Sequence, residues 1–419
     1  MTPLGVHSEV GKLRQVIVHR PGLELSRLTP DNIEALLFDD ILWSERAREE
    51  HDGFVEALRS HDVVVHHFDD LLTETLEIPE ARAEVLDQVC SVDRVGPGLV
   101  EPLRQLAESV DSRTLSKFLV GGITKRDLPL GQVHSLLWSA STGDDLVLPP
   151  LPNHLFQRDN SCWIYGGVTI NTMAMPARQR ETIHSRAIYR HHPLFADQGW
   201  RYWLGGDGLD HQPATFEGGD VHVVGNGTVL VGMGERTSPM AVELLASELF
   251  AHGAATRVIA IELPHSHAFM HLDTVMSMVD RSTFIAYPYL DQNLRSWTLT
   301  SASASASASA SASASASASA RILENTDLWS AVAEGLDVDK VTVLTADEDI
   351  RAAEREQWDD GTNFLAVAPG VVLGWDRNVT TNRMLAANGI EVVAVSGSEL
   401  GRGRGGPRCM TCPIQRDAV

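Results

Sequence analysis

The feature that most constrains the fold is a pattern that recurs about five times along the chain: a short apolar strand or hairpin, an amphipathic helix, and another apolar strand. In the third unit two apolar runs are joined by Gly225-Asn226-Gly227, and an Asn-Gly turn suits the twist of a tight hairpin. An isolated unit would expose its strand edges, so we predict an α/β fold in which five ββαβ units close into a pseudo-symmetric ring.

The first unit has a predicted strand Leu13–His19, a helix Ser44–Ser60 and a strand Val63–His66, and the second has a hairpin Cys162–Ile170, a helix of about Pro176–Tyr189 and a strand near Arg201. The third has strands Val221–Val224 and Val229–Val231, a helix from Ser238 to Gly253 and a strand Val258–Ile261, and the fourth has strands Val275–Val279 and Phe284–Tyr287, a helix Asp327–Glu334 and a strand Val341–Leu344. The fifth has strands Phe364–Val367 and Val371–Gly374, a helix Thr380–Ala387 and a strand Glu391–Val395.

Two segments depart from this pattern. Between about Asp69 and Gly143 the apolar residues follow helical spacing, which predicts a helical subdomain (69–143) inserted between the first unit (1–68) and the other four (144–419). Cys90 lies on its apolar stripe, where we expect a buried small hydrophobe and not a ligand. Residues 301–320 alternate Ser and Ala, which offers no side chains able to pack a core, and we assign this tract no function.

Composition narrows the classes of function. The chain has 34 Lys+Arg against 56 Asp+Glu, a formal charge of -22 that repels nucleic acid and anionic membranes and attracts small cations. No basic leader and no long apolar run is present, so we expect a cytoplasmic protein. Four cysteines in 419 residues do not resemble a disulfide framework. A special cysteine here is therefore reactive or a metal ligand.

Polar residues stand at corresponding places, just before or at the first strand of successive units. They are Asp159, Glu217-Gly218-Gly219-Asp220, His271-Leu272-Asp273 and Asp359-Asp360-Gly361-Thr362-Asn363, and Cys409 follows the last predicted strand. Equivalent positions in a ring of repeats face the common axis. We therefore expect these groups to converge on one catalytic site.

The residue types suggest a chemistry for that site. The loop Gly401–Arg408 is rich in glycine and arginine, and we expect it to favour the Cys409 thiolate as a nucleophile. His271 could act as general acid and then general base, with Glu217 orienting it. Asp159 and Asp273 offer two carboxylates that match the fork of a guanidinium group.

Alternatives remain open at this level. Cys409 and Cys412 could form a redox pair or half of a zinc site, and His265, His267 and His271 could supply metal ligands, although the chain has no second Cys-x-x-Cys motif. Each acid taken singly could also be a turn residue or a helix cap.

Ordered motifs along nearly the whole chain resemble the bacterial arginine deiminases of the guanidino-group modifying superfamily. They are Glu9–Leu13, His19–Gly22, Leu37–Asp40, Asn153–Asp159, Phe216–Asp220, Gly234–Ser238, His271–Asp273 and Gly403–Pro413. The resemblance implies a five-bladed α/β propeller and the hydrolysis of free L-arginine to citrulline and ammonia, without a metal or organic cofactor.

The resemblance also implies roles for individual residues. Cys409 would be the nucleophile, His271 and Glu217 the acid-base pair, and Asp159 and Asp273 the guanidinium clamps. A second set would bind the rest of the substrate, namely Arg178 and Arg236 at its carboxylate, Asn153 and Phe156 in the pocket, and Arg404 on a mobile loop that covers the site.

Two departures from the family pattern are visible. Gln157 stands where a small hydroxyl residue is expected, and the Ser-Ala tract replaces a loop and strand extension of the fourth unit. We expect a homo-oligomer acting on a small-molecule substrate. The rival activities are hydrolysis of agmatine or methylated arginine, a metal-dependent ureohydrolase, and a binding protein that has lost turnover.

Overall fold

Short runs of branched and aromatic residues form the strands, and longer stretches with apolar residues on one face form the helices. The computed structural model describes residues 3–128, 133–206, 212–290, 294–302 and 320–419. Most of the Ser-Ala tract, residues 303–319, lies outside these ranges. No helix within the described ranges is long and apolar enough to cross a membrane.

In chain order, the strands are β1 (Gly5–Val6), β2 (Leu13–Val18), β3 (Val64–His67), β4 (Ile123–Thr124), β5 (Leu146–Leu148), β6 (Ser161–Ile164), β7 (Gly167–Ile170), β8 (Arg201–Leu204), β9 (Val221–Gly225), β10 (Thr228–Met233), β11 (Arg257–Glu262), β12 (Met276–Asp280), β13 (Thr283–Ala286), β14 (Ser296–Ser301), β15 (Ala320–Glu324), β16 (Thr342–Leu344), β17 (Leu365–Ala368), β18 (Val371–Trp375), β19 (Glu391–Val395) and β20 (Cys412–Arg416).

The α-helices are α1 (Leu23–Ser26), α2 (Ser44–Ser60), α3 (Phe68–Leu76), α4 (Pro79–Val89), α5 (Val92–Val95), α6 (Val100–Ser109), α7 (Ser112–Gly121), α8 (Leu136–Ala140), α9 (Gln157–Asn160), α10 (Glu181–His191), α11 (Pro239–Ala251), α12 (Leu328–Leu336), α13 (Ile350–Trp358) and α14 (Val379–Ala387). Single turns of 3₁₀ helix connect several of these elements.

Five of the sheets repeat one topology. In four of them, two antiparallel strands are followed in the chain by a helix and by a third strand that pairs in parallel with the second; in the first sheet, β20 takes the place of the first strand. The five sets of strands are β20-β2-β3, β6-β7-β8, β9-β10-β11, β12-β13-β16 and β17-β18-β19. A parallel neighbour requires a crossover, which α2, α10, α11, α12 and α14 provide in turn. Strands β14 and β15 extend the third of these sheets beyond β11.

The first sheet joins the two ends of the described chain. Strand β20 lies between β1 and β2, with Gly5 opposite Gln415 in parallel and Ile17 opposite Cys412 in antiparallel register. The prediction that Cys409 follows the last strand is therefore wrong, because β20 comes after it. Its sequence, Cys-Pro-Ile-Gln-Arg, shows no apolar alternation, yet all five residues are buried. The polar side chains have partners there, including Gln15 for Gln415.

The segment from α3 to α7 is helical, and its predicted apolar stripes face inwards. Val85, Leu86, Leu103 and Leu115 are buried in one core cluster. Cys90 is buried in the same cluster with 5% exposure, as predicted, and it makes no disulfide. Helix α13 and the pair β14–β15 were not predicted from the sequence.

Candidate active site

The residues predicted to converge do so, and each precedes the first strand of a hairpin. Asp159 belongs to the single turn α9 before β6, Glu217 caps a 3₁₀ turn before β9, and His271 caps another before β12. Asn363 lies shortly before β17, and Cys409 three residues before β20. Because the five sheets share a topology, these positions are structurally equivalent, and the added strand β20 gives Cys409 the same place as the others.

Cys409 is held by Asn363, which is one of the residues expected to converge but has no role predicted from the sequence. The amide oxygen of Asn363 accepts hydrogen bonds from the backbone N–H groups of Arg408 (3.0 Å) and Cys409 (3.2 Å). Its Nδ2 lies 3.1 Å from the Cys409 Sγ and also donates to the Asp273 carbonyl at 3.1 Å. The side chain of Asn363 therefore fixes both the backbone and the sulfur of Cys409. Its place in the motif before the fifth unit was the available signal.

The thiol is surrounded by negative charge. The Sγ atom lies 3.6 Å from the Asp273 Oδ2, and Cys409 is 4% exposed. Burial raises the pKa of the Cys409 thiol well above its usual value, and Asp273, Asp159 and Asp360 raise it further. The loop Gly401–Arg408 acts in the predicted direction only through its backbone: a hydrogen bond from Gly406 lowers this pKa but does not outweigh burial and the three carboxylates.

Two of the three arginines of this loop have other partners, and the third, Arg404, lies over the Trp358 ring. Arg402 pairs with Asp40 and Glu399. Arg408 is fully buried between Glu9 (Nε to Oε2, 3.1 Å) and Asp273 (Nη1 to Oδ2, 2.8 Å). Neither guanidinium is left to stabilise a thiolate.

His271 and Glu217 form a buried pair. The His271 Nε2 lies 2.8 Å from the Glu217 Oε2, and its Nδ1 lies 3.9 Å from the Asp159 Oδ1. Burial opposes a charge on this imidazole, but Asp159 and Glu217 outweigh it and raise the pKa of His271 to about 9. At neutral pH the ring is an imidazolium that can donate a proton.

Close packing around this pair depends on Gly219. Its N–H donates to the Asp159 Oδ1 at 3.1 Å. A Cβ atom at this position would lie 2.7 Å from the His271 Cγ and 2.9 Å from the same Asp159 oxygen. Only glycine lets the backbone approach both side chains.

The two predicted clamps each hold an arginine in this structure. Asp159 Oδ2 accepts from the Arg178 Nη1 at 2.6 Å, and Asp273 Oδ2 accepts from the Arg408 Nη1 at 2.8 Å. The Oδ1 atom of Asp273 is buried without a hydrogen-bond partner within the described ranges. It is therefore an acceptor without a donor.

The predicted substrate-binding residues line one pocket together with the proposed catalytic groups. All five predicted binding residues line its walls: Asn153, Phe156, Arg178, Arg236 and Arg404. Of the predicted catalytic residues, Asp159, His271 and Cys409 also line it. Glu217 and Asp273 lie behind this wall and are fully buried. The pocket has a volume of only about 20 Å³, which leaves room for roughly one water molecule. A larger ligand requires the walls to move.

The predicted binding residues differ in how many of their polar atoms already have hydrogen-bond partners. Arg178 donates to Asp159, to Glu181 and to the Asn153 and Phe156 carbonyls. Arg404 is 5% exposed and lies with its guanidinium 3.6 Å from the Trp358 ring centre, and none of its three nitrogens has a hydrogen-bond partner among the described residues.

The remaining members of this set have structural contacts. Asn153 donates to the Leu36 and Leu37 carbonyls at 3.0 and 2.9 Å. Phe156 stacks on Phe38 at a centroid distance of 6.3 Å. Gln157, the departure from the family pattern, is buried and donates to the His154 carbonyl at 2.8 Å. Gln157 is therefore held within its own turn and does not line the pocket.

One group among the described residues could hold a metal ion: Asp159, Glu217 and His271, whose ligand atoms lie within 4.8 Å of one another. It shares His271 with the histidine cluster considered from the sequence, but includes neither His265 nor His267. His267 instead pairs with Asp39 at 3.1 Å. The same carboxylates already hold Arg178 and the His271 ring, so the group also fits a metal-free role.

Comparison with known proteins gives a family match. The family model described as arginine deiminase matches residues 34–416 of this chain.

Solved structures show a similar fold at low sequence identity. SxtG, an amidinotransferase from Microseira wollei, is 14% identical with a TM-score of 0.55, covering 100% of this chain and 98% of that chain. DDAH from Pseudomonas aeruginosa, in a mutant complexed with citrulline, is 14% identical with a TM-score of 0.51, covering 96% of this chain and 100% of its own. ArgZ, a cyanobacterial arginine dihydrolase, is 13% identical with a TM-score of 0.51, covering 97% of this chain and 40% of its own. The α/β fold is thus that of guanidino-modifying enzymes.

Proposed function

This chain belongs to the arginine deiminase family, and from that premise we propose that it hydrolyses free L-arginine to L-citrulline and ammonia in arginine catabolism. The observation that carries the proposal is the convergence of Cys409, His271 and Asp159 on one pocket, with Asp273 and Glu217 directly behind it. A thiol, a protonated imidazole and two carboxylates are the groups that substitution at a guanidinium carbon requires.

The carboxylates bind the guanidinium group. Within the described part of the chain, one buried oxygen of Asp273 has no hydrogen-bond partner, and Asp159 Oδ1 accepts a hydrogen bond only from the Gly219 N–H. A substrate guanidinium supplies the missing donors and fixes its carbon opposite the Cys409 Sγ.

Substrate binding also activates the nucleophile. The Asp159 and Asp273 carboxylates, together with burial, raise the pKa of the Cys409 thiol, and a bound guanidinium cation offsets their charge. The thiol releases its proton to solvent as the substrate binds, and the thiolate attacks the guanidinium carbon. The enzyme is therefore protected from unproductive thiolate chemistry while the pocket is empty.

His271 serves both halves of the reaction. Its imidazolium protonates the departing nitrogen, so that ammonia leaves and an amidino adduct remains on Cys409. The neutral ring then accepts a proton from a water molecule, whose oxygen adds to the same carbon and expels the thiolate. Glu217 holds the ring through the 2.8 Å hydrogen bond to its Nε2.

The basic groups of the pocket favour an amino-acid substrate over agmatine. Among the described residues, the three nitrogens of Arg404 have no hydrogen-bond partner, and Arg236 makes one hydrogen bond, from its Nε to Glu235, beside an ion pair with Glu217 at 3.6 Å. Both guanidinium groups can pair with an α-carboxylate, which agmatine lacks. Faster turnover of agmatine or of a methylated arginine than of L-arginine would contradict this assignment.

The test is a citrulline assay with L-arginine on the wild type, on Cys409→Ser, and on Cys90→Ala as a cysteine control remote from the pocket. We expect the wild type and Cys90→Ala to produce citrulline with and without EDTA, and Cys409→Ser to be inactive. Urea as the product, or activity that EDTA abolishes, would support the metal-dependent alternative.

We further propose that the five repeated sheets form a closed five-bladed propeller and that residues 69–143 are an inserted helical subdomain. The shared topology of the sheets and the pairing of β20 with both β1 and β2 support ring closure. We also propose that the protein is a homo-oligomer located in the cytoplasm. Light scattering of the purified protein measures the number of copies.

A further inference from the structure

A second cavity, of about 460 Å³, lies between the first repeated unit and the helical segment, away from the pocket of Cys409. Its walls come from the turn after β2, from α1 and α2, and from α3 and α7. We call it the basic cavity because Arg20, Arg48, Arg113 and Lys117 all line it. Four basic side chains around one cavity are unusual in a chain whose net charge is -22.

Two of these side chains have partners and two do not. Arg20 pairs with Asp52 at 2.6 Å, and Arg113 pairs with Asp70 at 2.8 Å. Arg48 and Lys117 make no side-chain hydrogen bond or ion pair with the part of the chain that the structure describes. Arg48 is half-buried and Lys117 is exposed, so both charges face solvent and are accessible to a ligand in the cavity.

The acidic residues of the wall do not cancel these charges. Glu24 and Asp69 line the cavity, but both pair with His19. The Glu24 Oε1 lies 3.1 Å from the His19 Nε2, and the Asp69 Oδ1 lies 3.2 Å from the His19 Nδ1. Burial opposes a charge on His19, but Asp69 and Glu24 outweigh it and raise its pKa to about 10. The imidazolium thus offsets one of these two negative charges, which leaves one against Arg48 and Lys117.

Ser116 gives an independent indication of a ligand. It lines the cavity from α7, is 2% exposed, and its hydroxyl has no hydrogen-bond partner within the described ranges. A buried hydroxyl without a partner costs free energy, and such groups are rare in folded proteins. An acceptor atom inside the cavity would satisfy it.

We propose that the basic cavity binds a phosphate group, either free or carried by a small organic molecule. A guanidinium, an ammonium and a hydroxyl are all donors, and the oxygens of a phosphate accept from all three. The volume exceeds that of the phosphate group alone and falls in the range of small-molecule sites, about 300–1,000 Å³. The site is independent of the deiminase proposal, because it shares no residue with the pocket of Cys409.

Isothermal titration calorimetry of the full-length protein, at constant ionic strength in KCl, tests the proposal with inorganic phosphate, phenyl phosphate and acetate. We expect saturable binding of phosphate at one site, weakened at least about tenfold in the double variant Arg48→Ala/Lys117→Ala. The matched control is Arg383→Ala/Lys340→Ala, which removes two exposed basic side chains elsewhere and should bind as the wild type does. Tighter binding of phenyl phosphate indicates an organic ligand, and tighter binding of inorganic phosphate indicates the free ion.

Ser116→Ala separates binding from folding. Because the hydroxyl has no partner, its removal should leave the melting temperature unchanged or raised while weakening phosphate binding several-fold. The proposal is overturned if neither phosphate compound binds saturably, if the Arg48→Ala/Lys117→Ala variant binds as tightly as the wild type, or if acetate binds as tightly as phosphate. The readout is binding, so it does not depend on turnover of arginine.

Discussion

Cys409 lies in a site whose charges oppose its ionisation. The usual arrangement for a reactive cysteine is a positive neighbour that lowers the thiol pKa. Here the neighbours of the sulfur are the Asp273 carboxylate at 3.6 Å and the neutral amide of Asn363 at 3.1 Å. In the proposed mechanism, the positive charge that ionises the thiol is the one the substrate brings.

This arrangement predicts a thiol that stays protonated in the free enzyme. Its pKa is raised in the folded state, so the thiolate should appear only at a pH above that of an ordinary cysteine. The difference in absorbance at 240 nm between the wild type and Cys409→Ser, followed against pH, measures it. A full thiolate signal at neutral pH without substrate would show that the carboxylates do not control the sulfur.

Asn363 is the positioning residue for the nucleophile. In Asn363→Ala the buried N–H groups of Arg408 and Cys409 lose their acceptor, at a cost of about 1–3 kcal/mol each, and the sulfur loses its fixed orientation. We expect kcat to fall about 10²-fold with a smaller change in KM. Asn363→Asp keeps the shape but adds a carboxylate beside Cys409, and should raise the thiol pKa in the titration above. Unchanged kcat in Asn363→Ala would assign this side chain a purely structural role.

At the scale of secondary structure, the important elements are the single turns that precede the hairpins. Glu217 and His271 each cap a three-residue 3₁₀ helix, and Asp159 lies in a four-residue α-helix. Each of these short turns lies directly before a strand and places a polar side chain at the start of that strand. Repeated in several sheets, they collect polar groups from distant parts of the chain at one place.

Gly219, in the turn after Glu217, gives a prediction at this scale. The Cβ of Gly219→Ala would overlap the His271 ring and the Asp159 carboxylate, so we expect kcat/KM to fall at least about 10²-fold. Gly53→Ala, in α2, is the control, because no atom lies within 4 Å of its added Cβ and alanine favours a helix. Steady-state kinetics and melting curves of both variants are the measurements. Wild-type activity in Gly219→Ala would mean that the backbone can move away from the His271–Asp159 pair.

For the molecule as a whole, the first sheet connects residues far apart in sequence. Strand β20 is hydrogen-bonded to β1 on one side and to β2 on the other. Arg408 bridges Glu9, 399 positions earlier, and Asp273. The segment that carries Cys409 is therefore anchored to the beginning of the described chain.

This anchoring predicts a strong effect of shortening the chain. Removing residues 412–419 deletes β20, exposes the edges of β1 and β2, and should abolish both cooperative unfolding and activity. Removing only Ala418 and Val419 leaves the strand intact and should change neither. Thermal unfolding followed by circular dichroism makes the comparison, and a cooperative transition at the wild-type temperature in the longer truncation would contradict it.

The sequence by itself determined the repeated units and the places of Asp159, Glu217, His271 and Asp273, because periodicity and position relative to a strand are local properties. It missed β20, whose polar residues lack apolar alternation and are satisfied by partners far away along the chain. Only the tertiary structure decided the charge environment of Cys409. The pKa of a buried group depends on which distant carboxylates and arginines are brought close to it, and that is a property of the folded chain.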